Sequence, residues 1–99
     1  MFGQIEEMQK NLQAKLDTIV VEAQAGDGTI KVQANANRKI LNVHIDPSLV
    51  KDGDHEELED LMMVAINRVL DMAEVKAGEE SKNLMSSILP PGMNLPGMF

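Results

Sequence analysis

The chain has 99 residues, a formal net charge of −7, two phenylalanines as its only aromatic residues, and no cysteine. This length supports one domain with a modest core. The lack of cysteine excludes disulfides, thiolate metal sites and cysteine nucleophiles. With only two aromatic rings, a base-stacking platform is not expected. Without an apolar run of membrane-spanning length or a signal-peptide pattern, we expect a cytoplasmic protein with no membrane partner.

The negative charge is concentrated in the second half of the chain. Residues 1–50 carry five basic and six acidic side chains, a net charge of −1, whereas residues 51–99 carry four basic and ten acidic ones, a net charge of −6. Six of those ten acidic residues lie between positions 52 and 60. Acidic side chains at the start of a helix favour the positive end of its dipole, so we interpret this cluster as the N-terminal end of a helix.

The first element is a predicted helix over residues 2–16. Its apolar residues recur at spacings of three and four and form one narrow stripe, consisting of Ile5, Met8, Leu12 and Leu16. A narrow stripe is buried on one side only, which predicts a helix that covers the sheet or a partner chain. Lys10 and Lys15 are left for the solvated face.

Three strands follow, predicted over residues 18–24, 30–37 and 38–46. Apolar and polar residues alternate in each, and glycines between residues 25 and 28 and a reversal near residues 36–37 separate them. Short turns between consecutive strands predict an antiparallel meander with one apolar face, which helices cover on that side alone. In the third strand Leu41, Val43 and Ile45 are expected to face the core.

Pro47 ends the third strand because it cannot donate to a sheet, and Leu49 and Val50 are expected to fold back onto the core. Asp54 is the predicted N-cap of a second helix over residues 54–85, with Glu57 completing a capping box. Gly78 is a weak point where this helix could bend. Residues 1–85 thus form one predicted domain, and residues 86–99, rich in Pro, Gly and Met, form a C-terminal tail.

The second helix is too long and too apolar for its own domain. About 30 residues span about 45 Å, whereas a compact chain of this length has a radius of gyration of about 13 Å. An overhanging apolar helix needs a second surface, and a symmetric copy is the commonest one. We therefore predict an α+β fold, α-β-β-β-α, that forms an intertwined homodimer. The predicted interface residues are Leu61, Met62, Ile66, Val69, Leu70 and Ala73.

No arrangement of residues points to catalysis. His44 and His55 have no second histidine at ligand spacing, and no serine has a neighbouring histidine and carboxylate. We expect no enzyme activity, metal, cofactor or small-molecule substrate. Phosphate contacts remain possible for the basic residues of the two helices, which are Lys10, Lys15, Arg68, Lys76 and Lys82, and for Arg38 and Lys39 at the hairpin tip.

The order and spacing of several segments resemble the YbaB/EbfC family of bacterial nucleoid-associated proteins. The segments are Met8-Gln9-Lys10-Asn11-Leu12-Gln13, Gly26-Asp27-Gly28-Thr29-Ile30-Lys31-Val32, Val43-His44-Ile45-Asp46-Pro47-Ser48-Leu49, Leu58-Glu59-Asp60-Leu61, Ala65-Ile66-Asn67 and Leu89-Pro90-Pro91-Gly92-Met93. The resemblance implies a tweezer-like dimer with protruding helices. It also implies binding of double-stranded DNA with limited sequence preference, through Lys10 and Lys15 and, more loosely, Lys76 and Lys82.

Together these observations predict a nucleoid-associated homodimer that binds double-stranded DNA through phosphate contacts. Its expected role is organisation of the nucleoid or regulation of gene expression. The alternative is an acidic, dimeric adaptor that binds other proteins and not DNA. The net acidity, the methionine-rich helix and the apolar residues of the tail favour that alternative.

Overall fold

A computed structural model of the protein describes residues 2–51 and 55–88. Along the chain the elements are helix α1 (Phe2–Thr18), strands β1 (Val20–Ala25), β2 (Ile30–Asn35) and β3 (Ile40–Ile45), a short helix α2 (Ser48–Lys51) and the long helix α3 (His55–Ile88). This order confirms the predicted α+β fold. The single turn of α2 was not predicted. The expected cap at Asp54 and residues 89–99 of the expected tail lie outside the described residues.

The three strands form one antiparallel sheet in the order β1-β2-β3. The β1–β2 hairpin closes through a hydrogen bond from Thr29 N to Gly26 O (3.2 Å). The two residues between them, Asp27 and Gly28, have φ angles of 56° and 88°. Gly26 also has a positive φ of 59°, so three successive residues of this turn adopt the left-handed conformation that glycine tolerates best. The glycine turn expected from the sequence is therefore confirmed.

A β-bulge in β3 changes which side chains face the core. Gln33 pairs with Asn42, but its neighbour Ala34 pairs with Ile40, so Leu41 has no cross-strand partner. The prediction that Leu41 continues the inward alternation is wrong, because one extra residue interrupts the period of two. The prediction is confirmed for Ile45, which packs against the core. Val43 pairs with the buried Val32 but is itself 39% exposed, because β3 lies beyond the main area covered by α3.

The hydrophobic core lies between α3 and the first two strands. Ala65, Val69 and Ala73 recur every four residues on one stripe of α3, and each is fully buried. They pack against the apolar face of β1 and β2, whose buried residues are Val21, Ala23, Ala25, Ile30, Val32 and Ala34. The alanines bring the helix close to the sheet, so α3 covers the apolar face as predicted.

Strand β3 lies beyond the main area covered by α3. Its apolar residues Ile40, Leu41 and Val43 are 38–46% exposed, whereas their neighbours on β2 are fully buried. Leu49 of α2 packs against the edge of this core. Val50 is 60% exposed, so the prediction that it folds back onto the core is wrong, because one helical turn can bury only one side.

The α1 helix is tied to the β2–β3 hairpin by asparagines. Asn35 is buried, and its Oδ1 accepts hydrogen bonds from the backbone N–H groups of Asn37 (3.0 Å) and Lys39 (3.1 Å). The Asn37 side chain donates to Asp17 Oδ1 (2.6 Å) and to Gln13 O (2.8 Å). These bonds hold the C-terminal end of α1 against the hairpin and set its direction.

The long helix overhangs its sheet, as predicted. Its 34 residues span about 51 Å, at about 1.5 Å per residue, whereas a six-residue strand spans about 20 Å. The chain extends over 59 × 28 × 15 Å and has a radius of gyration of 18.3 Å, well above the roughly 13 Å expected for a compact chain of this length. Gly78 lies in the overhanging part and does not interrupt the helix.

Candidate nucleic-acid interface

The overhanging end of α3 packs beside α1, and together they form a two-helix projection that we call the arm, made of residues 2–18 and 76–88. The two helices run antiparallel, since Lys15 near the end of α1 meets Glu80, while Met8 lies further along, towards Ser87. A groove of about 320 Å³ runs between them. Its lining residues are Met8, Asn11, Leu12, Lys15, Glu80, Asn83, Leu84 and Ser87.

Four of the predicted DNA-contacting residues lie on this arm and are exposed: Lys10, Lys15, Lys76 and Lys82. Lys15 and Lys76 have carboxylate partners on the arm. Lys15 Nζ lies 2.7 Å from Glu80 Oε2, and Lys76 Nζ lies 3.4 Å from Glu79 Oε2 one turn further along α3. The arm therefore brings the lysines to one projection but also supplies acidic side chains that oppose them.

The fifth residue, Arg68, lies elsewhere. Its Nη1 donates to the backbone oxygen of Gln24 (2.8 Å), and the side chain lines a polar pocket at the β1–β2 turn together with Asp27. Eight residues separate it from Lys76 on α3, about 12 Å along the axis. Arg68 thus fastens the helix to the end of β1, and the structure does not bring it together with the lysines of the arm.

The six predicted interface residues pack within the chain itself. Val69 and Ala73 are fully buried against the sheet. The other four, Leu61, Met62, Ile66 and Leu70, are partly buried at the border of the same core. The apolar side of α3 covers its own sheet first, which leaves Val69 and Ala73 no surface for a second chain. The large apolar residues that α3 exposes are Met63, Val64, Met72, Val75 and Met85.

The acidic partners Glu79 and Glu80 were not singled out from the sequence. The Lys76–Glu79 pair is readable as a spacing of three on one helix. The Lys15–Glu80 pair joins residues 65 positions apart, so no local sequence pattern predicts it. It follows only from the antiparallel packing of α1 on α3.

Over residues 2–51 and 55–88, no helix is both long and apolar enough to cross a membrane. The same part of the chain holds no cluster of three histidine or acidic residues arranged to bind a metal ion.

Comparison with known proteins adds to this description. Residues 1–88 match the model of the YbaB/EbfC DNA-binding family. A nucleoid-associated protein of Alkaliphilus metalliredigens is 35% identical over 102 aligned residues, covering 100% of this chain and 85% of that protein. Another from Rhodopseudomonas palustris is 38% identical, covering 94% and 89% of the two chains.

A solved structure confirms the fold. The crystal structure of an uncharacterized protein from Helicobacter pylori superposes with a TM-score of 0.66, covering 89% of this chain and 98% of that one. The two sequences are 24% identical, so this likeness concerns the fold alone.

The fold, the matched residues and the names of the relatives define the class as nucleoid-associated, DNA-binding proteins of bacteria. The chain belongs to the YbaB/EbfC DNA-binding family, and the match covers nearly all of its length.

Proposed function

We propose that the protein binds double-stranded DNA as a homodimer, through phosphate contacts made by the arm and with limited sequence preference. In the cell this binding contributes to nucleoid organisation or to the regulation of gene expression. The observation that carries the proposal is the arm itself, a two-helix projection with four exposed lysines in a chain of a DNA-binding family. Lysines at exposed helical positions reach phosphates but read little of the base sequence.

The exposed apolar surface supports the homodimer. Ile40, Leu41 and Val43 of β3 are 38–46% exposed beyond the area that α3 covers. Met72 and Val75 lie exposed beside a second apolar groove on α3. Soluble monomers seldom expose contiguous apolar patches of large size. A second copy supplies a cover of the same chemistry, and in a symmetric pair each chain covers the other.

Dimerisation also increases the number of lysines that can contact one duplex. Each chain carries −7 overall, so the acidic side chains far from the duplex repel DNA. At physiological ionic strength that repulsion is screened beyond about 8 Å, so the lysines nearest the duplex dominate. Two copies of the arm offer eight lysines, which is enough for several phosphate contacts at once.

The test is binding of fluorescent duplexes of unrelated sequence, followed by anisotropy at two salt concentrations. We expect binding at low salt, similar for every duplex and weaker at higher salt. Reversal of the arm lysines, K10E with K15E, should abolish it. The matched control is K31E with K51E, which makes the same change in net charge at exposed positions on β2 and α2.

Three outcomes would count against the proposal. A folded protein that binds no duplex at low salt contradicts it outright. Equal losses in the arm variant and its control would show that net charge, and not the arm, governs binding. Retention of protein partners from nuclease-treated lysate, in a protein that binds no duplex, would favour the adaptor function.

A further inference from the structure

We infer that Glu80 is a built-in competitor of DNA phosphate for Lys15, and that it lowers the affinity of the arm. The inference rests on the proposed function and assigns a regulatory residue to the same site. Glu80 Oε2 lies 2.7 Å from Lys15 Nζ, the distance of a charge-assisted hydrogen bond between an ammonium and a carboxylate. A phosphate oxygen approaching Lys15 seeks the same ammonium group.

The two partners differ in exposure, and this difference determines how they act. The side chain of Lys15 is 62% exposed, so an external phosphate can reach it. The side chain of Glu80 is only 16% exposed, because it lines the groove between α1 and α3. The carboxylate is therefore held in place by the arm, and it stays beside the ammonium when DNA approaches.

A fixed carboxylate weakens DNA binding in either of two arrangements. If the phosphate replaces Glu80, the Lys15–Glu80 bond is lost and a partly buried carboxylate is left without its partner. If the phosphate binds another proton of the ammonium, two anions share one cation and repel each other. In both cases Lys15 contributes less to the affinity for DNA than an unpaired lysine would at the same position.

The second ion pair of the arm, between Lys76 and Glu79 of α3, provides an internal comparison. Lys76 and Glu79 are 3.4 Å apart, and their side chains are 47% and 56% exposed. An exposed pair within one helix is held weakly and screened by water, so a phosphate displaces Glu79 at small cost. Glu79 and Glu80 thus carry the same charge on adjacent residues but differ in how firmly the arm holds them.

The test compares E80Q with E79Q, each replacing one carboxylate by an amide of the same shape. Duplex affinity is measured by anisotropy on the full chain at several salt concentrations, and urea unfolding checks that each variant is folded. We expect E80Q to bind about fivefold more tightly than the wild type at low salt, whereas E79Q changes by less than about twofold. With one more phosphate neutralised per arm, the slope of log affinity against log salt should steepen by about 0.9 for each arm in contact.

A second variant ties the gain to Lys15. In a double-mutant cycle, K15Q should remove most of the advantage of E80Q, because no ammonium remains to be released. Equal effects of E80Q and E79Q, or no gain in folded E80Q, would overturn the inference while leaving DNA binding by the wild type intact. If neither the wild type nor E80Q binds, the proposed function and the inference fail together. Binding by E80Q but not by the wild type would support the inference, since it would show that Glu80 prevents the arm from binding DNA.

Discussion

Gly26 in the β1–β2 turn lies so close to Leu61 of α3 that a Cβ atom at position 26 would stand 2.9 Å from Leu61 Cδ1. The same atom would meet Thr29 Oγ1 at 2.5 Å, and that hydroxyl is held by its own hydrogen bond to Gly26 O (2.7 Å). Gly26 also has a φ of 59°, which side chains disfavour. The turn and the start of the long helix therefore depend on glycine here.

G26A should lower the free energy of unfolding by about 1–3 kcal/mol, since strain at positive φ adds to the crowding. The matched control is G78A, because a Cβ at Gly78 meets nothing within 4 Å. G78A should raise the free energy of unfolding by up to about 1 kcal/mol, because alanine is more favourable than glycine in the interior of a helix. Urea unfolding at one fixed protein concentration measures both, and a neutral G26A would contradict the described turn.

Asn35 is the buried polar residue of the described core, at 3% exposure. N35A removes the acceptor for the backbone N–H groups of Asn37 and Lys39. We expect a loss of about 1–3 kcal/mol of stability, because two part-buried backbone donors lose their acceptor. N42A, at an exposed position of β3, is the control and should change stability by less than about 0.5 kcal/mol. Similar small effects in both variants would show that the hairpin holds without this acceptor.

The pKa of Asp46 lies below its usual value of 3.8, first because the Ser48 backbone N–H donates to the carboxylate (2.9 Å) and second because the Ser48 hydroxyl also bonds to it. A lowered pKa in the folded state stabilises the fold at pH values above the unfolded pKa. That contribution is lost as the pH falls through the lower, folded-state pKa. An NMR titration should show S48A raising the Asp46 pKa only part of the way. An Asp46 pKa at or above 3.8 in the wild type would refute the described bonds.

The fold could be predicted because its signals are local. The alternation from Ile30 onwards indicates a strand with one buried face, and the apolar stripe of α3 indicates a long helix. The bulge at Leu41 could not be predicted, because a bulge has no distinctive amino-acid composition. Its position depends on how the two strands pair. The short α2 was missed for a similar reason, since one turn is too short to show a period.

The candidate site could be predicted only in part. The exposed lysines of the two helices were found from their polar positions, and Lys10 and Lys15 do lie on the arm with Lys76. Arg68 was grouped with them because sequence shows the helix it occupies but not the Gln24 oxygen it binds. The contact between Lys15 and Glu80 depends on tertiary packing, and so does the choice of which apolar residues of α3 cover its own sheet.

Self-association is the claim on which the account depends, because in the proposed dimer a second copy covers the exposed apolar residues of β3 and adds the lysines of a second arm. Sedimentation equilibrium of the full chain at micromolar concentration tests it most directly. We expect the mass of a dimer of 10.9 kDa chains, and dissociation when V43D places a charge among the exposed apolar residues of β3. A folded wild-type protein with the mass of a single chain would contradict the account.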